Sequence, residues 1–224
     1  MSRLPLKFDE HGLVAALVQD HLTGEVRMVG YASEEAIEKT LATGRATFWS
    51  RSRGELWEKG EASGNTVTVH RVLVDCDADC VVYVGEAAGP TCHTGARSCF
   101  FRVLEDGELQ ARGEPPQTLL GTLEALLESR KRATGTASYT KSLYDRGAPA
   151  IGEKIREEAG ELAQAIAAES DERVIAEAAD ALYHVMVGLQ WRAIPIRRVL
   201  GELARRLGTS GHEEKAQRGP QTAG

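Results

Sequence analysis

The stretch that most constrains this chain is Asp75-Cys76-Asp77-Ala78-Asp79-Cys80, taken with Cys92-His93-Thr94-Gly95-Ala96-Arg97-Ser98-Cys99 a little further on. Three acids alternate, a cysteine stands between the first two, and two more cysteines follow, one of them beside a histidine. Carboxylates suit magnesium and thiolates suit zinc, so ligands interleaved this closely point to two kinds of metal at one site. The preceding residues, Thr66 to Val74, alternate and are rich in Val and Thr, which predicts a strand. Were that strand to run on through the cluster, Asp75, Asp77 and Asp79 would project to one side and Cys76 to the other. One chain would hardly direct all three acids and Cys76 into a single pocket, whereas a second subunit meeting the opposite face would.

Cys76, Cys92 and Cys99 supply three thiolates, and zinc prefers four ligands. A closed structural site would take its fourth ligand from His93 or Cys80, while a catalytic site keeps that position for water. Zinc lowers the pKa of bound water from ~15.7 to about 7, a source of hydroxide at neutral pH. Disulfides and buried free thiols are the plainer alternatives. Met1 to Pro5 holds no apolar core of signal-peptide length, and no stretch approaches the ~20 apolar residues of a membrane span. The expected compartment is therefore the reducing cytoplasm, where cysteines are metal ligands more often than bridges. The formal net charge of −6 over 224 residues speaks against a general nucleic-acid binder, whose footprint would be basic, and fits acids that hold divalent cations.

In chain order, Leu13 to Gln19 is an apolar run, Asp20 to Glu25 with Thr23-Gly24 reads as a hairpin turn, and Val26 to Tyr31 as the returning strand. Ser33 caps a helix that Gly44 stops. Arg51, Arg53 and Lys59, set among glycines and hydroxyls, are either a phosphate-binding set or solvated surface. Glu105 to Pro116, with two glycines, adjacent prolines and several charges, reads as a linker. Beyond it the pattern is helical. Leu119, Leu120, Leu123, Leu126 and Leu127 line one face of a first helix, and Ala133 to Ala137 is a polar connection. Long helices are expected over about 148–168 and 171–191, the latter with Asp171 as N-cap, and Ile194-Pro195 breaks the run before a last helix through Val199, Leu203 and Leu207. Residues 208–224 lack apolar periodicity and read as a mobile tail. The whole predicts two domains: an α+β, mostly β, metal-binding domain over 1–104 and, after a linker at 105–117, an all-α bundle over 118–207.

Two pairs of acids mark the helical half. Glu158 and Glu161 are three apart, as are Glu177 and Asp180, which stacks each pair on one helix face. No basic residue lies between the members of either pair, and Glu161 borders Leu162, Ala165 and Ile166. Singly, such pairs are usually solvated; together, on facing helices, four acids call for a divalent ion, and magnesium suits the role when substrate phosphates complete its shell.

These residues carry a resemblance. Residues 12–104 are similar to phosphoribosyl-AMP cyclohydrolases through TFWSRSRGELWEKGEASGN, DCDADC and CHTGARSCF. Residues 118–207 are similar to phosphoribosyl-ATP pyrophosphohydrolases through SYTKSL, KIREEAGE and EAADALYH, a bundle of the nucleotide pyrophosphohydrolase type. The chain therefore looks like the bifunctional enzymes of histidine biosynthesis that fuse the two. The resemblance implies that Asp75, Asp77 and Asp79 bind magnesium and that Cys76 joins Cys92 and Cys99 of a partner subunit on zinc, in a homodimer. It implies that the helical domain cleaves phosphoribosyl-ATP with magnesium on Glu158, Glu161, Glu177 and Asp180. The first domain would then open the adenine ring of phosphoribosyl-AMP, His93 moving a proton or serving as a hydrogen-bonding neighbour. Glu157 either helps activate water or is solvated. Where the family often has Gly and Ala this chain has Ala78 and Cys80, which argues against Cys80 as a ligand, and Val67 replaces a frequent glutamine. The rivals are a house-cleaning nucleotide pyrophosphohydrolase fused to a zinc domain, and a zinc scaffold without turnover.

Overall fold

Val14, Ala16 and Val18 alternate along β1 (Leu13–Asp20) and are almost wholly buried, the period-two signature of a strand with one face on a core. The computed structural model describes residues 4–110, 118–133 and 138–207. Contacts divide the chain between Thr118 and Leu119 into two units. In the first, β1 sits inside a sheet with β2 (Val26–Ser33), β3 (Thr47–Ser50), β4 (Glu55–Glu58), β5 (Val67–Val74) and β6 (Cys80–Ala87), ordered β4-β3-β2-β1-β6-β5. The β1–β2 hairpin closes where Asp20 Oδ1 accepts from the amides of Leu22 and Thr23. β6 pairs parallel to β1, from Ala15↔Cys80 to Asp20↔Gly85, and antiparallel to β5.

Helix α1 (Glu34–Thr43) begins as expected, with Ser33 Oγ accepting from the Ala36 amide, and ends at Gly44 in the left-handed region at φ 67°. Its buried Ala36 and Ile37 join Phe48, Val67, Val81 and Tyr83 in the core. Tyr83 is fully buried, its hydroxyl donating to the Thr47 carbonyl at 3.2 Å, and burial pushes its pKa up to about 12.

The expected strand over 66–74 stops at Val74 and does not continue through the acids. The start of the expected linker is likewise structured. β7 (Val103–Glu105) and β8 (Glu108–Gln110) form a hairpin through Asp106 and Gly107, both at positive φ, the type I′ geometry that Asp-Gly favours. The rest of the linker, 111–117, and the tail, 208–224, lie outside the described residues.

The second unit is helical: α2 (Leu119–Arg132), α3 (Tyr139–Arg146), α4 (Ala148–Ala168), α5 (Asp171–Trp191) and α6 (Ile196–Arg206). Only two residues join α4 to α5, which makes them antiparallel neighbours. The core gathers Leu127, Leu143, Tyr144, Ile151, Met186, Val187 and Ile196. The leucine stripe of α2 is only partly internal: Leu127 is fully buried, whereas Leu119 and Leu126 are exposed. Asp171 is not the cap; Ser170 holds the extended N-cap conformation and Asp171 is the first helical residue, where a negative charge still meets the positive end of the helix dipole.

Two glycines test this packing. A Cβ on Gly85 would stand 2.0 Å from the Thr68 carbonyl oxygen of the neighbouring strand, while one on Gly160 of α4 meets nothing within 4 Å. Gly85→Ala should destabilise the first unit by ~1–3 kcal/mol or more, and Gly160→Ala should stabilise the second by about 0.5–1 kcal/mol. Denaturant unfolding with spectroscopic probes in each unit checks both.

Candidate active sites

The acids of the first unit meet through a turn. Beyond Val74 the Asp75 carboxylate folds back, Oδ1 accepting from the amides of Asp79 and Cys80 at 3.0 Å each, and the Asp75 amide donates to the Cys80 carbonyl at 3.2 Å. Ala78 takes φ 65° at the bend, a conformation that glycine adopts without strain. One oxygen from each of Asp75, Asp77 and Asp79 lies within 4.8 Å of the others, all on exposed residues. The amide bonds, that from Cys80 first, hold the Asp75 carboxyl below its usual range, whereas the charges of Asp77 and Asp75 push Asp79 up. Three crowded oxygens with mutual repulsion form a donor set that fits a hard divalent cation.

Cys92 and Cys99 sit on the loop after β6. Gly95, at φ 87°, lets the chain turn so that its amide donates to the Cys92 carbonyl, and the Thr94 hydroxyl lies 3.1 Å from the Cys92 sulfur. Burial disfavours a charge on Cys92. Hydrogen bonds from the Thr94 hydroxyl and amide, Cys99 and the His93 amide outweigh it and hold the thiol below its ordinary value. Desolvation and the adjacent Cys92 push Cys99 up to about 11. The two thiols are thus electrostatically unlike, and together they supply two of the four ligands that a tetrahedral site takes. They open on a cavity of about 430 Å³ whose wall includes His93, Thr94, Phe100 and Arg102.

All four cysteines are free, and Cys76 is exposed on the acid turn, its sulfur 3.9 Å from Asp77 Oδ1. The turn precedes β6 and the thiol loop follows it, docked at the far end on Val26 and Arg27. Seven strand steps separate the ends of β6, roughly 23 Å. Within one chain, then, Cys76 does not approach Cys92 and Cys99.

The basic trio also divides. Arg51 stacks over the Tyr31 ring at 3.8 Å, and Arg53, exposed at the β3–β4 tip, meets Glu55 at 3.2 Å and Glu61 at 3.9 Å. Lys59 stands at the other end of β4, buried, with Nζ 3.4 Å from the Asn65 carbonyl. Burial lowers its pKa and the nearby Cys99 and Cys92 raise it, so its ammonium faces the thiols and not the arginines. Val67, fully buried in the core, makes no polar contact of the kind a glutamine would.

In the second unit the paired acids of α4 and α5 face one another. Oxygens of Glu158, Glu177 and Asp180 lie within 4.8 Å of each other, the two glutamates buried and Asp180 exposed. Glu161 stands outside that compact trio but feels it: the Glu177 charge, then burial and Glu158, push its carboxyl above the ordinary range. Among the described residues these three and the aspartates of the first unit are the only groups of three or more ligating side chains so close together.

No basic residue lies between the members of either pair, but each pair has a cation outside it. Lys154 Nζ lies 2.7 Å from Glu158 and 2.9 Å from Glu157, and Arg173 pairs with Glu177 and, at 3.1 Å, with Glu169. Each cation sits one turn before its acid, outside the pair, where a search between the pair members misses it. Glu157 is thereby tied to Lys154. Buried His184 adds a further link, its Nδ1 2.9 Å from the Asp180 carbonyl and 3.7 Å from Glu158, its Nε2 3.0 Å from the Tyr139 hydroxyl. Sequence reasoning passed over Lys154, Arg173, Tyr139 and His184, although the i, i+4 spacing in Lys154-Ile155-Arg156-Glu157-Glu158 was a signal for the first.

Known proteins agree with this layout. Residues 28–101 match the phosphoribosyl-AMP cyclohydrolase family and residues 120–207 the phosphoribosyl-ATP pyrophosphohydrolase family. The histidine biosynthesis bifunctional protein HisIE of Wolinella succinogenes is 42% identical over 219 residues, covering 95% of this chain and 96% of the relative. Its counterpart in Aquifex aeolicus is 43% identical over 206 residues, covering 91% and 99%. That of Thermus thermophilus is 45% identical over 184 residues, covering 82% and 84%. The chain belongs to this family of bifunctional histidine-biosynthesis enzymes, its N-terminal unit a phosphoribosyl-AMP cyclohydrolase and its C-terminal unit a phosphoribosyl-ATP pyrophosphohydrolase.

Proposed function

We propose that the ring-opening site is built from two copies of the chain, Cys92 and Cys99 of one holding zinc together with Cys76 of the partner subunit. Magnesium is held by Asp75, Asp77 and Asp79. What supports this is the length of β6: it sets the acid turn and the thiol loop at opposite ends, and a second copy is the simplest way to bring them together. When bound, zinc supplies Lewis acidity that lowers the pKa of coordinated water toward about 7. The chain's own groups do the rest. His93, on the cavity wall, exchanges the proton of the attacking water, and Phe100 offers an apolar face to the purine. Lys59 balances thiolate charge from below, and Arg51 and Arg53 receive the ribosyl phosphate. The four free thiols fit the reducing cytoplasm, where we place the homodimer.

In the helical unit Glu158, Glu161, Glu177 and Asp180 are the residues that would hold magnesium where phosphoribosyl-ATP is cleaved. Magnesium bound there would supply positive charge to stabilise the pyrophosphate leaving group. Lys154 and Arg173, paired with these acids, are placed to turn toward phosphate oxygens.

Cys92→Ser should lower ring opening by at least the ~100-fold that loss of even an outer-shell metal partner can cost. Phosphoribosyl-AMP should then accumulate from phosphoribosyl-ATP. Glu161→Gln should block the earlier step while added phosphoribosyl-AMP is still consumed. Chromatography of the reaction mixtures reads both, and loss of both activities in either folded variant refutes the division of sites.

The Glu161 carboxyl, held above the ordinary range, takes up its proton at a higher pH than a free glutamate. Magnesium must compete with that proton, so the magnesium needed for half-maximal pyrophosphate release should rise as pH falls through the raised pKa. Magnesium titrations at descending pH test this; a requirement independent of pH would remove Glu161 from the ligand set.

A further inference from the structure

The loop that carries Cys92 and Cys99 is fastened to an ion network, buried at Glu25 and Arg27 and half-exposed at Arg97, that no part of the reaction explains. The Glu25 carboxylate is almost fully buried, and one of its oxygens lies 2.6 Å from Nη2 of Arg97 and 3.6 Å from Nη1 of Arg27. Arg27 is itself buried, and its Nη2 donates to the Gly89 carbonyl at 3.2 Å, where the loop leaves β6. The backbone carbonyl of Arg27 accepts from the Cys99 amide at 2.9 Å. The Thr91 hydroxyl lies 2.9 Å from that same carbonyl and 2.8 Å from the carbonyl of Arg97, one hydrogen serving both. Ser98 Oγ donates to the Val26 carbonyl at 2.9 Å. One residue of β2 thus grips both ends of the loop, and Arg97, between the two cysteines, ties its middle to Glu25.

We infer that Glu25, Arg27 and Arg97 form a latch that fixes the spacing of the Cys92 and Cys99 sulfurs, making Glu25 and Arg97 positioning residues for the metal of the ring-opening site. Charges are expensive to bury and are weak evidence for stability, since apolar replacements of similar volume often do as well. What the pair provides is position: the half-exposed Arg97 guanidinium meets the buried Glu25 carboxylate, at 2.6 Å, only while the loop lies against the start of β2. An eight-residue loop with a left-handed glycine at its centre has many other conformations open to it. Holding the sulfurs in place before the metal arrives removes that ordering cost from binding.

The inference rests on the assignment of Cys92 and Cys99 as zinc ligands, and the test separates the two. Zinc affinity of the full-length protein is measured by competition with a chromophoric chelator, and cobalt(II) replaces zinc to report coordination geometry through its visible spectrum. Arg97→Ala and Glu25→Gln should each weaken zinc binding by about 10–100-fold, the range for loss of an outer-shell partner. Each should alter the cobalt spectrum at saturation and leave phosphoribosyl-ATP cleavage unchanged, and Arg97→Lys should recover part of the affinity. Wild-type affinity and spectrum in the folded variants overturn the latch, as does loss of the first unit's fold in both. Should Cys92→Ser retain full zinc affinity, the ligand assignment itself fails; should it lose zinc while Arg97→Ala keeps it, the latch alone fails.

Discussion

The parallel pairing of β6 with β1 is the constraint from which the first unit's chemistry follows. A parallel partner is reached only by a crossover, and here β2 through β5 occupy the chain between the two. The acid turn enters β6 at the end shared with Ala15, and the thiol loop leaves at the end shared with Asp20, beside the β1–β2 turn. That geometry explains two things together. The loop meets Val26 and Arg27 because β2 starts where β6 ends, and the hard and soft donors, neighbours in sequence, are held apart in space. Sequence proximity between Cys76 and Cys92 is therefore no guide to distance; the strand between them decides it.

The two units solve the problem of crowded charge differently. On the acid turn repulsion among Asp75, Asp77 and Asp79, all exposed, is met by backbone amides on Asp75 and by the charge of Lys7 near Asp79. Between α4 and α5, Glu158 and Glu177 are buried, where an unpaired carboxylate would be far more costly, and each has a cation one turn earlier. Lys154 and Arg173 make the buried site tolerable with no metal bound. A bound divalent ion would have to displace or share those contacts, which leaves two cations at the mouth of a site that handles a triphosphate.

Much of this was legible in the sequence. The hairpin over 13–31, the helix from its Ser33 cap to Gly44 and the long helices of the second half all announce themselves by apolar period and capping residue. The close spacing of the acids was legible too: all three aspartates of the turn, and three of the four helical acids, bring oxygens within 4.8 Å of one another. What escaped was whatever depended on a side chain acting on backbone. Asp75 ends β5 by capping the turn with its own carboxylate, which alternation alone cannot reveal. The hairpin of β7 and β8 lay inside a polar stretch, with Asp106-Gly107 as its sole signal. Lys59 sat among arginines and glycines in sequence, yet its position after β4 turns it inward toward the thiols. Burial, which no local pattern encodes for a lysine, overrode the resemblance to its neighbours.

Ion pairs that look alike in the two units also do different work. Lys154 and Arg173 lie on the same helices as their acids, at i, i+4, so their geometry comes with the helix and asks little of the rest of the fold. Arg97 reaches Glu25 across most of the first unit's sequence, and that contact exists only once β1, β2 and β6 have assembled. A local pair can be exchanged for a phosphate or a metal without disturbing the helix that carries it. A long-range pair, its carboxylate buried and shared by two guanidiniums, ties the loop to the strand it packs against. The helical site is thus suited to gripping and letting go of a charged substrate, while the thiol loop is suited to holding one arrangement throughout.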